Sequence, residues 1–432
     1  MIRLVLPITA LLGGVAFLLL GSGLLSTLLA VRGNLEGFGD RTIGLIMSSY
    51  FLGYFVGTYV AIPLILRIGH IRAFAFCAAI AACTALGHTL IVNPWVWMAL
   101  RVLMGMALVT LYTVIESWLN SEAPPSKRGQ VFAIYMAVNL VALALAQQLI
   151  RLDEATAFSL FALASILISA ALLPVTWTRL SPPQPHQAER LPVKRLFAIA
   201  PVAAGGALLS GLAMGALWGL APLYASRIGQ DEAGVALFMS AAILGGALLQ
   251  WPLGRYSDTH DRRSVLATVC ALAAIAALLM PPASGFGLSF VAALLYGCFA
   301  FAVYPICVAH LVDHLPNDQL LGGSSGLLLL HGVGAAIGPA VAGSLMGYAG
   351  PHALPVYFAL MQSVLAGFAW WSRRGRADEA QPAHFVAMVR TSPLAMEMMS
   401  TPEEQGIPPD GLNGATSMPA RDAPDDRQRS SG

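Results

Sequence analysis

The chain has 432 residues, 57% of them hydrophobic and only 11% charged. So few charges cannot solvate soluble domains, which carry about 25% charged residues, and so apolar a chain is not disordered as a whole. Its 24 Lys and Arg against 22 Asp and Glu leave a formal charge of +2, too little for a field that recruits nucleic acid.

A bilayer core takes about 20 apolar residues per helix. That ruler predicts twelve membrane spans, at 5–31, 43–66, 73–92, 96–118, 129–150, 156–177, 198–224, 233–253, 264–280, 287–312, 322–347 and 353–371. Lipid satisfies no backbone group, and no ten-residue barrel alternation is present, so the spans are read as helices and the chain as an all-α integral membrane protein. Arg3 precedes span 1, but the apolar run is too long for a signal peptide and no small-residue cleavage site follows it, so span 1 is read as retained. Cys77, Cys83, Cys270, Cys298 and Cys307 sit in apolar stretches and are read as free buried thiols without metal-type spacing.

Cation placement sets the orientation. Arg3, Arg67, Arg72, Lys127, Arg128, Arg179, Arg190, Lys194, Arg195, Arg255, Arg262, Arg263, Arg373, Arg374 and Arg376 fall on one side, against Arg32, Arg41, Arg151 and Arg227 on the other. Both termini are therefore predicted to be cytoplasmic, as an even span count requires. The connection after span 10 (Asp313, His314, Asn317, Asp318) is the one cytoplasmic connection without a cation.

An ungapped shift of 192 residues aligns the halves. Gly13, Gly14, Gly23, Met47, Ser48, Leu52, Gly53, Gly105 and Tyr112 meet Gly205, Gly206, Gly215, Met239, Ser240, Leu244, Gly245, Gly297 and Tyr304. One offset serves spans 1–4 against 7–10, and six spans per half give both halves the same orientation, as in a parallel transporter repeat. The predicted organisation is a bundle at 1–177, a Pro- and cation-containing cytoplasmic linker at 178–197, a bundle at 198–371 and a disordered cytoplasmic tail at 372–432. Within the tail, Phe385–Met399 is more apolar and is a candidate for docking.

Candidate functional residues follow the same order. Ser22, Ser26 and Thr27 in span 1, Tyr50 and Tyr54 in span 2, and Thr110 and Tyr112 in span 4 are cavity candidates, as are Trp218 in span 7 and Tyr296 and Tyr304 in span 10. The alternative for each aromatic is packing or interfacial anchoring. Arg101 lies well inside span 4, where a charge must face a wet cavity or find partners. Glu116 lies fifteen residues further, about 22 Å along the helix, so the two cannot pair. Glu116 is either a proton-carrying acid near the inner mouth or an interfacial acid bonded to a cation such as Arg128. Asn139 in span 5 and His331 in span 11 are mates under the repeat and suit a midplane cavity. The alternative is an interhelical hydrogen bond, favoured for Asn139. Function is favoured for His331, since imidazole titrates near neutral pH. In span 11, Gly334, Gly338 and Gly343 allow close helix approach and Pro339 bends the helix.

The connection between spans 8 and 9, Gly254-Arg-Tyr-Ser-Asp258-Thr-His-Asp-Arg262-Arg263, resembles the G-x-x-x-D-R-x-G-R-R signature of the major facilitator superfamily. Thr259 and Asp261 depart from its usual Arg and Gly. The resemblance implies that Asp258 meets a helix N-terminus or an arginine of the neighbouring bundle and stabilises one gate state; the alternative is plain topology. The counterpart after span 2 keeps Arg67 and Gly69 but has Leu66 where the acid belongs. Arg101-Val-Leu-Met-Gly105 resembles the superfamily's span-4 R-x-x-x-G pattern, whose arginine is associated with proton coupling. Span 5 lacks the Gly-Pro pattern of the superfamily's drug/proton antiporters. Ser48–Gly53, Glu116–Asn120, Lys127–Gln130 with Tyr135 and Met136, Trp218–Tyr224 and Gln250–Arg255 are similar to the YcaD-like bacterial branch.

The expected function is secondary transport of a small molecule across the bacterial inner membrane by alternating access of two six-helix bundles. It is expected to be proton-coupled through Arg101 with Glu116 or His331, with efflux and uptake both open. No G-x-x-x-x-G-K-[ST] loop is present and no cofactor or metal is expected. The expected partners are the substrate, the proton and the lipid bilayer, with no nucleic acid, and a monomer suffices. The competing readings are an integral membrane enzyme, for which His310, Asp313 and His314 are the one suitable grouping, and a transport-dead receptor or scaffold.

Overall fold

The protein was described from a computed structural model that covers residues 2–124, 127–177, 191–285, 287–316 and 319–372. The tail from 373 onward, most of the predicted linker (178–190), Asn317 and Asp318 lie outside the described residues. Among the described residues, twelve apolar helices are long enough to cross a membrane: Ile8–Leu35, Asp40–Ile68, His70–Leu90, Pro94–Glu122, Arg128–Leu152, Phe158–Trp177, Pro201–Arg227, Glu232–Thr259, Arg262–Ser284, Ser289–Val312, Gly322–Ala349 and Ala353–Ser372. They are numbered spans 1–12. No strand occurs among the described residues. Several helices run a turn past the apolar stretch, as at Asp40 and Leu35, because a helix satisfies its own backbone in the headgroup layer as well.

Local chemistry sets the ends. Asn93 caps span 4, accepting from the N–H groups of Trp95 and Val96, with Pro94 at the first helical position. Asp231 caps span 8 in the same way. Gly69, at φ 84°, makes the single-residue turn between spans 2 and 3, a conformation that L side chains resist. Ahead of span 7, the Leu191 N–H donates to the Gly322 carbonyl at 3.1 Å, and a short helix, Val193–Ile199, sets Leu196 against Gly326 of span 11. The end of the linker is thus tied to span 11. Four cysteines are buried as expected, but Cys83 is exposed on the apolar exterior, where a thiol loses little in lipid.

The repeat is visible in the packing. Spans 2 and 4 cross at Gly53 and Gly105, and a Cβ on these would meet Val102 and Tyr50 respectively. Spans 8 and 10 cross at Gly245 and Gly297, against Leu294 and Ala242. Each of these four residues is the repeat mate of its counterpart, so the two six-helix bundles use one crossing twice. Successive spans alternate in direction. The odd-numbered connections (1–2, 3–4 and onward) therefore share one end of the molecule, called here the odd end, and the even-numbered connections the other.

Candidate functional site

The bundles meet along spans 1 and 7, 2 and 11, and 5 and 8. Near the odd end the Asn34 amide donates to the Ser226 hydroxyl at 3.1 Å, and these two residues are 192 positions apart. A residue can touch its own repeat mate only on the axis relating the halves, so this bond marks the pseudo-twofold axis. Two flanking contacts obey the same symmetry. Ser48 of span 2 accepts from the Ala340 N–H of span 11 at 2.9 Å. Its mate Ser240 of span 8 accepts from Gln148 of span 5, the mate of Ala340, at 2.7 Å. The chemistry differs between the seams. Span 2 meets span 11 through Gly44 and Gly343, almost backbone to backbone, whereas the Gln148 side chain bridges span 5 to span 8. One contact has no mate: Arg227 at the end of span 7 donates to Asp40 at the start of span 2 at 2.6 Å and 3.1 Å. All of these lie in the odd half of the molecule.

Arg101 hangs just inside that seam. It is 2% exposed. Its guanidinium lies 4.4 Å from the Tyr50 ring centroid, within 3.5 Å of the Ser26 hydroxyl and 3.6 Å of the Met47 sulfur. Met47 also faces Gly219 of span 7, so the cation sits one side chain away from the bundle interface. The structure thus brings Arg101, Ser26 and Tyr50 together, with Tyr54 next to Tyr50 (ring centroids 6.3 Å).

Glu116 is elsewhere. It is fully buried, and the Tyr135 hydroxyl donates to it at 2.7 Å. Tyr112 and Tyr54 lie within electrostatic reach of Tyr135. Glu116 is therefore a buried acid inside the first bundle. Asn139, also fully buried, donates to the Tyr135 carbonyl at 2.6 Å. That bond stays within span 5, so the side chain bonds the preceding turn rather than making the expected interhelical bond.

The second bundle contributes aromatic surface. Trp218 meets Phe301 edge to face at 5.7 Å, and Tyr304 meets His331 at 4.4 Å. Trp218 and Tyr304 are buried, whereas His331 is half-buried.

At the even end, Arg262 is the hub. It donates to Asp258 at 3.1 Å, to Ser257 at 2.9 Å and to both carboxylate oxygens of Asp313. Asp258 is thus held by an arginine four residues on, at the start of the next span of its own bundle. Asp313, read from sequence with two histidines as a possible metal grouping, is instead the acid that anchors Arg262. No group of three or more His, Cys, Asp or Glu is placed to hold a metal ion among the described residues. Arg263 donates to the Ser372 carbonyl at the end of span 12. Gly254 is buried and accepts from the Ser257 hydroxyl, while Arg67 is exposed. Asp261, a departure from the signature, caps span 9 through the N–H groups of Arg263 and Ser264. Burial pushes the Asp261 carboxyl up. Hydrogen bonds from the Ser264 hydroxyl and from both N–H groups, with the Arg263 charge, outweigh burial and hold the carboxyl below the ordinary carboxylate range. The cap is in place at neutral pH and is lost as pH falls through that lowered range.

Sequence reasoning missed Asp40–Arg227, Asn34–Ser226 and the serine pair. The offset of 192 was the available signal for the last two, since mates near a span end are candidates for the axis. The ion pair has no mate and gave none.

Comparisons with known proteins agree with this architecture. The sequence profile described as Major Facilitator Superfamily matches residues 8–202 and 203–403. The chain is 30% identical over 343 residues to an uncharacterized MFS-type transporter of Enterobacter sp. (strain 638), covering 79% of this chain and 89% of that protein. It is 29% identical over 348 residues to the uncharacterized MFS-type transporter YcaD of Escherichia fergusonii, with the same coverage. Among solved structures it superposes on the nucleoside transporter NupG with a TM-score of 0.70 at 15% identity, over 87% of this chain and 100% of that one. It superposes on a bacterial homolog of the human lysosomal transporter Spinster with a TM-score of 0.66 at 15% identity, over 86% and 95%. These structural likenesses speak for the fold. The chain belongs to the Major Facilitator Superfamily, in its YcaD-like branch, and is a multi-pass membrane protein of the secondary-transporter class rather than an enzyme.

Proposed function

We propose that this protein moves one small molecule across the bacterial inner membrane by alternating access, coupled to protons, with both termini cytoplasmic. The bodies that rock are residues 1–177 and 198–371, joined by the linker at 178–197. The observation that carries the reading is the pseudo-twofold seam, whose named hydrogen bonds gather in the odd half of the membrane. Under the cation distribution the odd end is periplasmic, so the seam closes the outer side. Arg101 is the coupling residue. It contacts Ser26, Met47 and Tyr50, two of which lie on span 2, a helix of the seam. Glu116 is the proton-carrying candidate, a buried carboxyl that accepts from the Tyr135 hydroxyl.

The reading is tested in proteoliposomes with a trapped pH dye. An imposed pH gradient with a library of metabolites and antibiotics outside is expected to give compound-dependent proton flux. Flux from no compound, alongside a working control transporter, would overturn it and favour a transport-dead receptor.

The Asp40–Arg227 pair is the outer latch. Arg227 is 37% exposed, so screening limits the pair to about 1 kcal/mol. That still shifts a two-state equilibrium about fivefold. Asp40→Asn is expected to raise labelling of Ser48→Cys by a membrane-impermeant maleimide about fivefold in intact cells. Unchanged labelling would remove the pair from the gate.

A further inference from the structure

The wall of the second bundle holds polar atoms that the fold itself does not use. His331 hydrogen-bonds the backbone of Ala207. Its Nδ1 has no hydrogen-bond partner, so Nε2 makes that bond, as a donor to the carbonyl. Nδ1 is thereby fixed as a lone-pair acceptor. The Tyr304 hydroxyl, on a side chain 6% exposed, also has no partner, although the two rings are 4.4 Å apart. Orphaned polar atoms buried this way cost free energy that a bound ligand recovers. The repeat mate Asn139 likewise leaves Oδ1 unbonded, but it is fully buried in the first bundle, whereas His331 is half-buried; its Nδ1 and the Tyr304 hydroxyl are covered in this conformation and come within a ligand's reach only as the bundles move. Trp218 and Phe301 extend the wall, Phe301 lying one turn from Tyr304 on span 10.

Charge narrows the ligand. Spans 10 and 11 contain no Asp, Glu, Lys or Arg, and span 7 has only Arg227 at its far end. A charged group docked here would be uncompensated in the membrane. Nδ1 asks for a donor and the Tyr304 hydroxyl offers one, so the group must present a donor beside an acceptor.

We propose that Tyr304 and His331 form a specificity subsite for a neutral, planar donor–acceptor edge, an amide or lactam, carried on a ring that lies against Trp218. The subsite rests on the reading of a central transport path, and it names the chemistry that the path selects. Any acidic group on the same molecule is left for Arg101 on the opposite bundle.

The test uses purified full-length protein and three probes: nicotinamide, uracil and nicotinate, the last replacing the amide of the first by a carboxylate. Binding is read by thermal shift and by Trp fluorescence. Nicotinamide or uracil is expected to bind, nicotinate at least about tenfold more weakly than nicotinamide. Tyr304→Phe and His331→Leu should each weaken the neutral probe about tenfold, with unchanged size-exclusion profiles. Absence of binding by both neutral probes, equal binding of amide and carboxylate, or an undiminished affinity in Tyr304→Phe overturns the subsite. Labelling of His331→Cys, in a cysteine-free background, by a water-soluble maleimide reads the path separately. A labelled site with no probe discrimination removes the subsite alone, and an unlabelled one removes the path as well.

Discussion

Arg101→Ala is expected to abolish gradient-driven transport, lowering it at least about a hundredfold, while leaving a folded protein in the membrane. The side chain is 2% exposed, at a depth where a cation costs several kcal/mol unless compensated. Its contacts to Ser26 at 3.5 Å and Met47 at 3.6 Å are long for hydrogen bonds, and its position over Tyr50 at 4.4 Å is a cation–π contact worth about 1–2 kcal/mol. A charge held at this cost for stability alone would be poor design, because an apolar replacement of similar volume is often neutral or stabilising. The functional and structural roles therefore predict opposite melting behaviour. Arg101→Met should keep or raise the melting temperature and lose transport. A variant that unfolds would make the arginine structural, and one that still transports would end the coupling role. Arg101→Lys keeps the charge but loses the planar stack on Tyr50, and transport should fall by about tenfold or more.

The twelve spans were legible because the bilayer imposes one length and one polarity on each of them, a constraint that needs no tertiary knowledge. The bundle architecture was legible because the repeat offset survived at Gly53, Gly105, Gly245 and Gly297, where a backbone crossing tolerates no side chain. The seam was not. Ser48 and Ser240 matched under the offset, but a serine in a span bonds its own helix as readily as a neighbour, and nothing in the sequence distinguishes the two. Asp40 fell outside the predicted span 2 and Arg227 counted only as a cation of its connection, and their pairing depends on the angle between two bundles, which no local pattern encodes. At the even end the signature residues Asp258 and Arg262 were found, but the partner Asp313 lies 51 residues on, where the sequence grouped it with His310 and His314 and gave no sign of the arginine. Glu116 shows the limit of a hydropathy ruler. Its position near a span end left open a proton-carrying acid near the inner mouth or an interfacial acid, and burial against Tyr135 follows from span 5 packing on span 4, a tertiary fact.

Gly105→Val is expected to be the most damaging single change to the fold, and the reason joins the packing to the chemistry. A Cβ at this position would lie 2.6 Å from the Tyr54 nitrogen and closer still to the Tyr50 carbonyl oxygen, atoms of a helix backbone that cannot turn aside. Spans 2 and 4 would have to separate, at a cost above about 3 kcal/mol, the range of severe overpacking. The same residue of span 2 carries the ring that lies beneath the Arg101 guanidinium. Arg101-Val-Leu-Met-Gly105 is thus one device: one turn apart on the same face, the glycine admits the Tyr50 backbone and the arginine lies over the ring so admitted. Gly105→Ala should accordingly lose transport at temperatures where the protein is still folded, because the smallest displacement of span 2 moves Tyr50 off the cation. Gly297→Val strikes the mate crossing, where Ala242 replaces Tyr50 and no cation is present. It should destabilise to a similar degree, while Gly297→Ala should spare coupling more than Gly105→Ala does. Gly367→Ala, in open space on span 12, is the control and should raise stability by about 0.5–1 kcal/mol. Melting curves and flux measured on all five variants decide the matter. Equal behaviour of Gly105→Ala and Gly297→Ala in flux would separate the arginine from the crossing and leave the pattern a packing motif.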